Sequence, residues 1–355
     1  MNSLRFLLFP VAWLYGWIIR FRHWLFDIGI LKTHAFPMPV IGVGNLCLGG
    51  TGKTPFVEYL IRHFANEHRV AVLSRGYGRK SKGFLYANQF SSHEDIGDEP
   101  MQYLRKFEGK IKVAVDEDRV EGVRSLMDDD PQLELVLLDD AFQHRYIKPG
   151  LSILLTDIHK LYMEDYLLPT GSLRDVVAQA KRADIILVTK TNKVLSPITR
   201  RRVKGVLKPA AHQSLYYTYL DYGEPISFPE KTDVSVFKKA RIIIMFSGIA
   251  NSYPYQEYLR DLCTELIVLD YPDHHKYTRK DLQHIRRVYE DTFGLNKIIV
   301  TTEKDAMRLV KSEYLSELNE LPLFYVPVQM KLHGLDETNL INQLTKYVKS
   351  NRRNC

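Results

Sequence analysis

Residues Gly44 to Pro55, GNLCLGGTGKTP, combine glycines, a lysine and two threonines in a spacing that suits phosphate. A buried strand, PVIGVGN, leads in, and an apolar-periodic helix, TPFVEYLIRHFA, leads out. Such a turn aims successive backbone N–H groups and the positive end of the helix at one point, where phosphate oxygens bind. Gly49, Gly50, Thr51 and Gly52 form the turn; Lys53 can reach β- and γ-phosphates, and the Thr54 hydroxyl can ligate Mg2+. One position departs from G-x-x-x-x-G-K-[ST]: Cys47 stands six residues before Lys53, where the first glycine belongs. A phosphate loop of a divergent kind is expected, with a small side chain tolerated at its entry.

A loop of this type works with an acidic strand end that manages the metal. LELVLLDDAFQH delivers Asp139 and Asp140 to the carboxyl end of a buried strand, the edge at which ligands bind on open α/β sheets. One of the two carboxylates can hold Mg2+, directly or through water. Two further polar stretches are GDEP, with Asp98 and Glu99, and YPDHHKYT, with Asp273, His274 and His275. Taken singly, each reads as an ordinary loop. A carboxylate oriented by a histidine is nevertheless a common general base for a hydroxyl nucleophile.

These residues need a scaffold, and the chain supplies one. Near-continuous apolar runs recur after Pro39 (RVAVLS, KVAV, LELVLL, LSILLT, DIILVT), alternating with helical patterns. Strands of that composition are covered on both faces, which predicts a mostly parallel sheet in a P-loop NTPase-like α/β/α domain. PITRRRVKGVL reads as a basic surface helix. Between Leu220 and Lys239 the composition turns to Gly, Pro and polar residues, marking a junction. A second alternation, through RIIIMF, ELIVLD, KIIVTT and LFYVPV, predicts a smaller second α/β domain. The expected organisation is an N-terminal membrane-interface helix region over 1–36, a P-loop nucleotide-binding domain over 37–220, a hinge over 221–240, the second domain over 241–349 and a basic tail over 350–355. A chain ending near residue 240 should then still bind nucleotide.

With 355 residues, 45% hydrophobic and 26% charged, the chain has the balance of a folded two-domain protein and not of a disordered one. Its 49 Lys+Arg against 42 Asp+Glu leave a net charge of +7, which suits an anionic partner. Three cysteines, Cys47, Cys263 and Cys355, without a CxxC spacing, argue against a disulfide framework or a zinc site. FLLFPVAWLYGWII, Phe6 to Ile19, is a run of 14 residues without a charge, followed by Arg20, Arg22 and His23. A spanning helix needs about 20 apolar residues, and no small-residue cleavage site follows this run. Trp13, Tyr15, Trp17 and Trp24 favour the headgroup region and the arginines suit acidic lipid, so an interfacial membrane helix is expected in preference to a buried one.

Seven segments occur in one order: GNLCLGGTGKTP, LSRGYGR, GDEP, DDAFQH, LPTGSLR, FSGIAN and PDHHKYT. With the apolar N-terminal helix they resemble the tetraacyldisaccharide 4′-kinase (lipid A 4′-kinase) family over nearly the whole chain. The resemblance implies transfer of the ATP γ-phosphoryl group to the 4′-hydroxyl of an acylated glucosamine disaccharide 1-phosphate, with Mg2+, at the cytoplasmic face of a bacterial inner membrane. It implies catalytic roles for Lys53 and Asp98, with His274 holding Asp98 once the two domains close, and for Arg174 in steadying phosphate charge. It also implies a metal set of Thr54, Asp139, Asp140 and Asp175, and substrate contacts from Arg75, Tyr77, Gln143 and His144. No nucleic acid and no obligate protein partner are expected. Besides Cys47, which stands where relatives often have serine, two segments depart from the family pattern. Ala141 stands for a glycine, where a left-handed backbone would be strained, and Asp175-Val176 stands for Glu-Pro.

Two other classes compete. A membrane-associated P-loop ATPase or GTPase switch without a lipid acceptor would, if it read guanine, carry N-K-x-D; the nearest stretch, TKTNK, lacks the aspartate. A nucleic-acid-binding ATPase is suggested by the net charge and TRRRVKGVLK, but no aromatic interleaving accompanies that run, and a solvated helix face accounts for it. EKDAMRL, Glu303 to Leu309, reads only as a helix start.

Overall fold

The computed structural model describes residues 7–229, 232–249, 251–273, 275–310 and 312–351. The chain forms two compact units, Met1–Leu220 with Met330–Cys355, and Asp221–Gln329. In chain order the strands of the first unit begin with β1 (Val40–Asn45), β2 (Val70–Ser74), β3 (Leu85–Tyr86) and β4 (Lys112–Val115). They continue with β5 (Leu135–Asp139), β6 (Leu151–Asp157), β7 (Ile185–Thr189) and β8 (Ser214–Tyr222). The second unit supplies β9 (Ile226–Ser227), β10 (Ile242–Ser247), β11 (Glu265–Asp270), β12 (Lys297–Thr302) and β13 (Leu323–Val326), and β14 (Val328–Leu332) leads back to the first.

The larger sheet has the order β14-β8-β7-β6-β1-β5-β2-β4-β3, and from β8 to β4 its pairings are parallel. β1 therefore lies at the centre, between β5 and β6. Every residue of β1, β2, β5 and β7 is buried, which is what their unbroken apolar runs require of strands covered on both faces. The smaller sheet has the order β11-β10-β12-β13-β9, parallel except for the edge pair β13–β9. The result is a mixed α/β fold with mostly parallel sheets.

Helices cover the sheets: α1 (Phe9–Asp27), α2 (Lys53–Phe64), α3 (His93–Ile96), α4 (Asp98–Lys106), α5 (Arg119–Asp129) and α6 (Pro197–Leu207) in the first stretch of chain. α7 (Val234–Lys238), α8 (Tyr253–Arg260), α9 (Arg279–Asp291) and α10 (Glu303–Leu309) belong to the second unit, and α11 (Leu335–Ser350) closes the chain. α2 buries Phe56, Leu60, Ile61 and Phe64 against Ile41, Val43 and Leu137 of β1 and β5. α11 adds Leu340, Leu344 and Val348, one helical face, to that same core. Residues 330–349, expected in the second domain, thus fold onto the first unit.

The expected hinge over 221–240 also differs from the structure. Its Gly, Pro and polar residues surround two aromatic anchors, Phe228 and Phe237, which are buried in the second unit's core. β9 pairs with β13 through Ser227 and Phe324, so the segment is an edge of the second domain and not a linker. EKDAMRL has a structural role there. Asp305 is fully buried and accepts from Thr302 Oγ1 (2.6 Å) and the Gly248 N–H (3.1 Å), while Arg308 pairs with it (2.9 Å) and donates to the Gly248 carbonyl (3.0 Å). The cluster holds the FSGIAN turn to the end of β12.

α1 has its amphipathicity reversed relative to a helix of a water-exposed domain. Ala12, Gly16, His23 and Phe26 face the body, whereas Trp13, Leu14, Trp17, Ile18, Phe21 and Trp24 are each more than half exposed, Trp13 at 63%. Among the described residues no helix is long and apolar enough to cross a membrane.

Candidate active site

β1 ends at Asn45, and the chain enters the phosphate loop extended. The Leu48 N–H donates to the Ser172 carbonyl and the Arg174 N–H to the Leu46 carbonyl, both at 2.7 Å, with Cys47 bridged antiparallel to Leu173. This short ribbon explains the missing first glycine: a paired, extended residue needs no left-handed backbone, so cysteine fits. The same ribbon delivers Arg174 to the loop. Gly52 caps α2 with φ +86°, and a Cβ there would lie 3.1 Å from Met330 Cε, so a side chain is strained by conformation. At the end of β7, Thr189 Oγ1 donates to the Thr51 carbonyl (2.8 Å), tying the turn to the sheet edge.

Charges converge at that edge. Arg174 binds Asp140 through both terminal nitrogens, Nη1 to Oδ2 at 2.9 Å and Nη2 to Oδ1 at 2.7 Å. Lys53 Nζ lies 3.5 Å from Asp140 Oδ1 and donates to Asn45 Oδ1 at 3.3 Å. Arg174 Nη2 also bonds the Asn45 side-chain oxygen, and Asn45 Nδ2 donates to Thr51 Oγ1 (2.8 Å). Burial would raise the Asp140 carboxyl, but the Arg174 hydrogen bonds and the Lys53 and Arg174 charges outweigh it and hold it well below the usual carboxylate range. Asp139 behaves oppositely. Burial first, then the Asp140 and Glu99 charges, push it up to about 6. The Tyr103 hydroxyl donates to Asp139 Oδ2 (3.1 Å), while Asp139 Oδ1 is buried with no hydrogen-bond partner among the described residues.

α4, which opens with Asp98, is bolted to α2. Glu58 of α2 is fully buried and takes Gln102 Nε2 at 2.7 Å and Lys106 Nζ at 2.8 Å from α4, with Arg62 at 2.9 Å from its own helix. Gly97, at φ +90°, turns the chain into α4; a Cβ there would lie 3.0 Å from the Tyr77 carbonyl and 3.1 Å from the Gly76 carbonyl carbon. The GDEP and RGYGR loops therefore touch backbone to backbone, which sets Asp98 beside the loop that carries Arg75 and Tyr77. Asp98 is half-buried, and Arg75 and Tyr77 are exposed.

Other expected residues are placed differently. Asp175 does not join the metal set: it is buried and its Oδ1 pairs with His23 Nε2 of α1 at 2.7 Å. Gln143 commits its amide to the Asn45 carbonyl (2.6 Å), a supporting contact. His144 lies among cations. Burial, then Arg119, Arg22 and Arg75, lower it to about 4, and its Nε2 is buried without a partner among the described residues. Ala141 is not left-handed; the positive φ, +50°, falls on Asp140, a residue type that tolerates it, so the alanine is not strained on that account. His274 lies outside the described residues. Among the described residues no three His, Cys, Asp or Glu side chains gather as a metal-binding group.

The sequence reading missed three contributors. Asn45 links the loop, Lys53 and Arg174, and its only signal is a polar residue ending an apolar strand. Tyr103, fully buried on α4, donates to Asp139. Arg119 is buried at the start of α5 and is drawn electrostatically to Asp140 and Asp139, while burial brings its guanidinium down to about 10. Nothing in a single sequence marks an arginine as buried.

A central strand that runs into a glycine turn and a lysine, beside an acidic strand end, places the molecule among α/β proteins built to bind nucleotide phosphates. Comparison with known proteins narrows this. The family model for LpxK, tetraacyldisaccharide-1-P 4′-kinase, matches residues 4–349, and the chain belongs to that family. It is 43% identical over 357 residues to a tetraacyldisaccharide 4′-kinase of Flavobacterium psychrophilum, covering the whole of both chains. It is 44% identical over 329 residues to another from Parabacteroides distasonis, covering 89% of each. A solved "apo" form of LpxK from Aquifex aeolicus in complex with ATP superposes with a TM-score of 0.74 at 30% identity, covering 98% of this chain and 100% of that one.

Proposed function

We propose that the chain transfers the γ-phosphoryl group of ATP to the 4′-hydroxyl of tetraacyldisaccharide 1-phosphate, giving the 4′-phosphorylated lipid and ADP. One observation carries the reading: Lys53 and Arg174 converge on Asp140 at the mouth of a glycine turn that opens α2. A phosphate arriving there meets two cations and the helix N-terminus on preformed backbone. The 4′-oxygen attacks the γ-phosphorus as the bond to the β–γ bridging oxygen breaks, and Asp98 takes the hydroxyl proton. Lys53 and Arg174 stabilise charge on the transferring group.

Thr54 and Asp139 fit Mg2+. Asp139 presents a buried oxygen with no partner among the described residues, and Thr54 is buried in the first turn of α2. Mg2+ takes few protein ligands and fills its shell with phosphate oxygens and water, so one carboxylate and one hydroxyl suffice. When bound, it supplies positive charge against the β- and γ-phosphate oxygens. Asp140, clamped by Arg174, supports this pair.

Attachment to the cytoplasmic face of the inner membrane through α1 belongs to the same reading. Its outward stripe of tryptophan, phenylalanine and aliphatic side chains is what a helix lying in the headgroup boundary presents. The test is transfer of labelled γ-phosphate to tetraacyldisaccharide 1-phosphate in mixed micelles, wild type beside Asp98→Ala, with lipid-free ATP hydrolysis as control. The expected result is lipid product that falls by about 10²–10⁴-fold in the variant while nucleotide still binds. Brisk hydrolysis without lipid product would favour the ATPase switch instead.

A further inference from the structure

We infer that α1 is a positioning element for Arg174, acting through His23 and Tyr15. The inference rests on the reading of Arg174 as the residue that steadies phosphate charge. Two contacts carry it. His23 Nε2 and Asp175 Oδ1 are 2.7 Å apart, and both residues are buried, at 3% and 2% exposure. Eight residues earlier in α1, about two helical turns away, the Tyr15 hydroxyl donates to the Arg174 carbonyl (3.1 Å). A third, longer contact runs from Arg22 Nη1 to the Gln143 carbonyl at 3.5 Å.

The imidazole is itself fixed. Arg145 Nη1 faces His23 Nδ1 and the His23 carbonyl, each at 3.1 Å, and Arg145 Nη2 pairs with Asp27 at 2.8 Å. Arginine can only donate, so Nδ1 accepts and Nε2 carries the proton given to Asp175. Asp175 Oδ1 also takes the Val176 N–H at 2.8 Å. Arg174 is thereby held on three sides: its N–H by Leu46, its carbonyl by Tyr15, and the next residue's carboxylate by His23. Its guanidinium then reaches Asp140 and Asn45.

α1 turns one face to this segment and an apolar face outward. How the helix seats on a lipid surface thus sets the backbone from which Arg174 projects. A displacement of about 1 Å at such a residue can lower turnover by about 10²-fold. The shorter carboxylate at Asp175 acquires a role here: it is an anchor point for α1.

The experiment compares full-length Tyr15→Phe, His23→Ala and His23→Gln with wild type in the mixed-micelle transfer assay, each also in an Arg174→Ala background. Partition onto anionic vesicles of phosphatidylethanolamine and phosphatidylglycerol is measured alongside. We expect kcat to fall about tenfold in His23→Ala and less in Tyr15→Phe, with KM for ATP and vesicle partition unchanged. His23→Gln, which keeps a donor, recovers most of the loss. In the Arg174→Ala background the His23 and Tyr15 changes have no further effect. Unchanged kcat in Tyr15→Phe and the His23 variants, or an equal loss without Arg174, overturns the inference. Should His23→Ala not fold, Tyr15→Phe and His23→Gln decide it. Absence of lipid product from wild type would instead overturn the functional reading itself.

Discussion

Asp139 sits where a negative charge is opposed, and this makes its two roles separable. Its carboxyl is raised from the ordinary value to about 6 by burial and by Asp140 and Glu99. The folded form therefore takes up a proton more readily than the unfolded chain, so stability is full below about pH 4 and is lost as pH rises through about 6. A shift of that size corresponds to roughly 3 kcal/mol. Asp139→Asn should raise Tm at pH 8 by about 5 °C, with no gain at pH 4, while abolishing turnover. Thermal unfolding at the two pH values checks this; an equal shift at both would remove the charge argument. Lys53 and the adjacent Asp139–Asp140 pair were legible from their motifs. Asn45, Arg119 and His23 were not, because their roles arise from partners far away in the chain.

The elements around the site were largely readable. β1, β2, β5, β7, α2 and α6 follow from apolar runs and helical spacing that leave little choice. α11 was read as a piece of the second domain because proximity in sequence suggested it, whereas the core that it completes was laid down some 200 residues earlier. Segment 221–240 looked like a linker since two buried phenylalanines count for little against its glycine, prolines and polar residues. α4 gives the sharpest element-scale tests. Glu58→Ala strands the buried ends of Lys106 and Gln102 and should cost about 3 kcal/mol, read by urea unfolding. Gly97→Ala forces a Cβ against the Tyr77 carbonyl at a left-handed residue; about 1–3 kcal/mol of strain should shift Asp98 and lower kcat. A variant with wild-type turnover would separate Asp98 from the conformation of its loop.

At the scale of the whole molecule, the outward face of α1 is the feature with the plainest outcome. Replacing Trp13, Trp17 and Phe21 together by serine removes about 1.5–3 kcal/mol of apolar burial per residue. Vesicle partition should fall at least tenfold and the apparent KM for the lipid should rise, while KM for ATP stays the same. Undiminished partition would mean that another surface meets the membrane. The first unit is made of two stretches of chain, and the second, Asp221–Gln329, is one uninterrupted stretch between them. A chain cut near residue 240 therefore lacks Leu340, Leu344 and Val348 and should bind nucleotide poorly, contrary to what the sequence alone suggests. On the ribosome the order follows. The stretch that forms the second domain emerges in full before α11, so the core of the nucleotide domain can close only after its neighbour has been made.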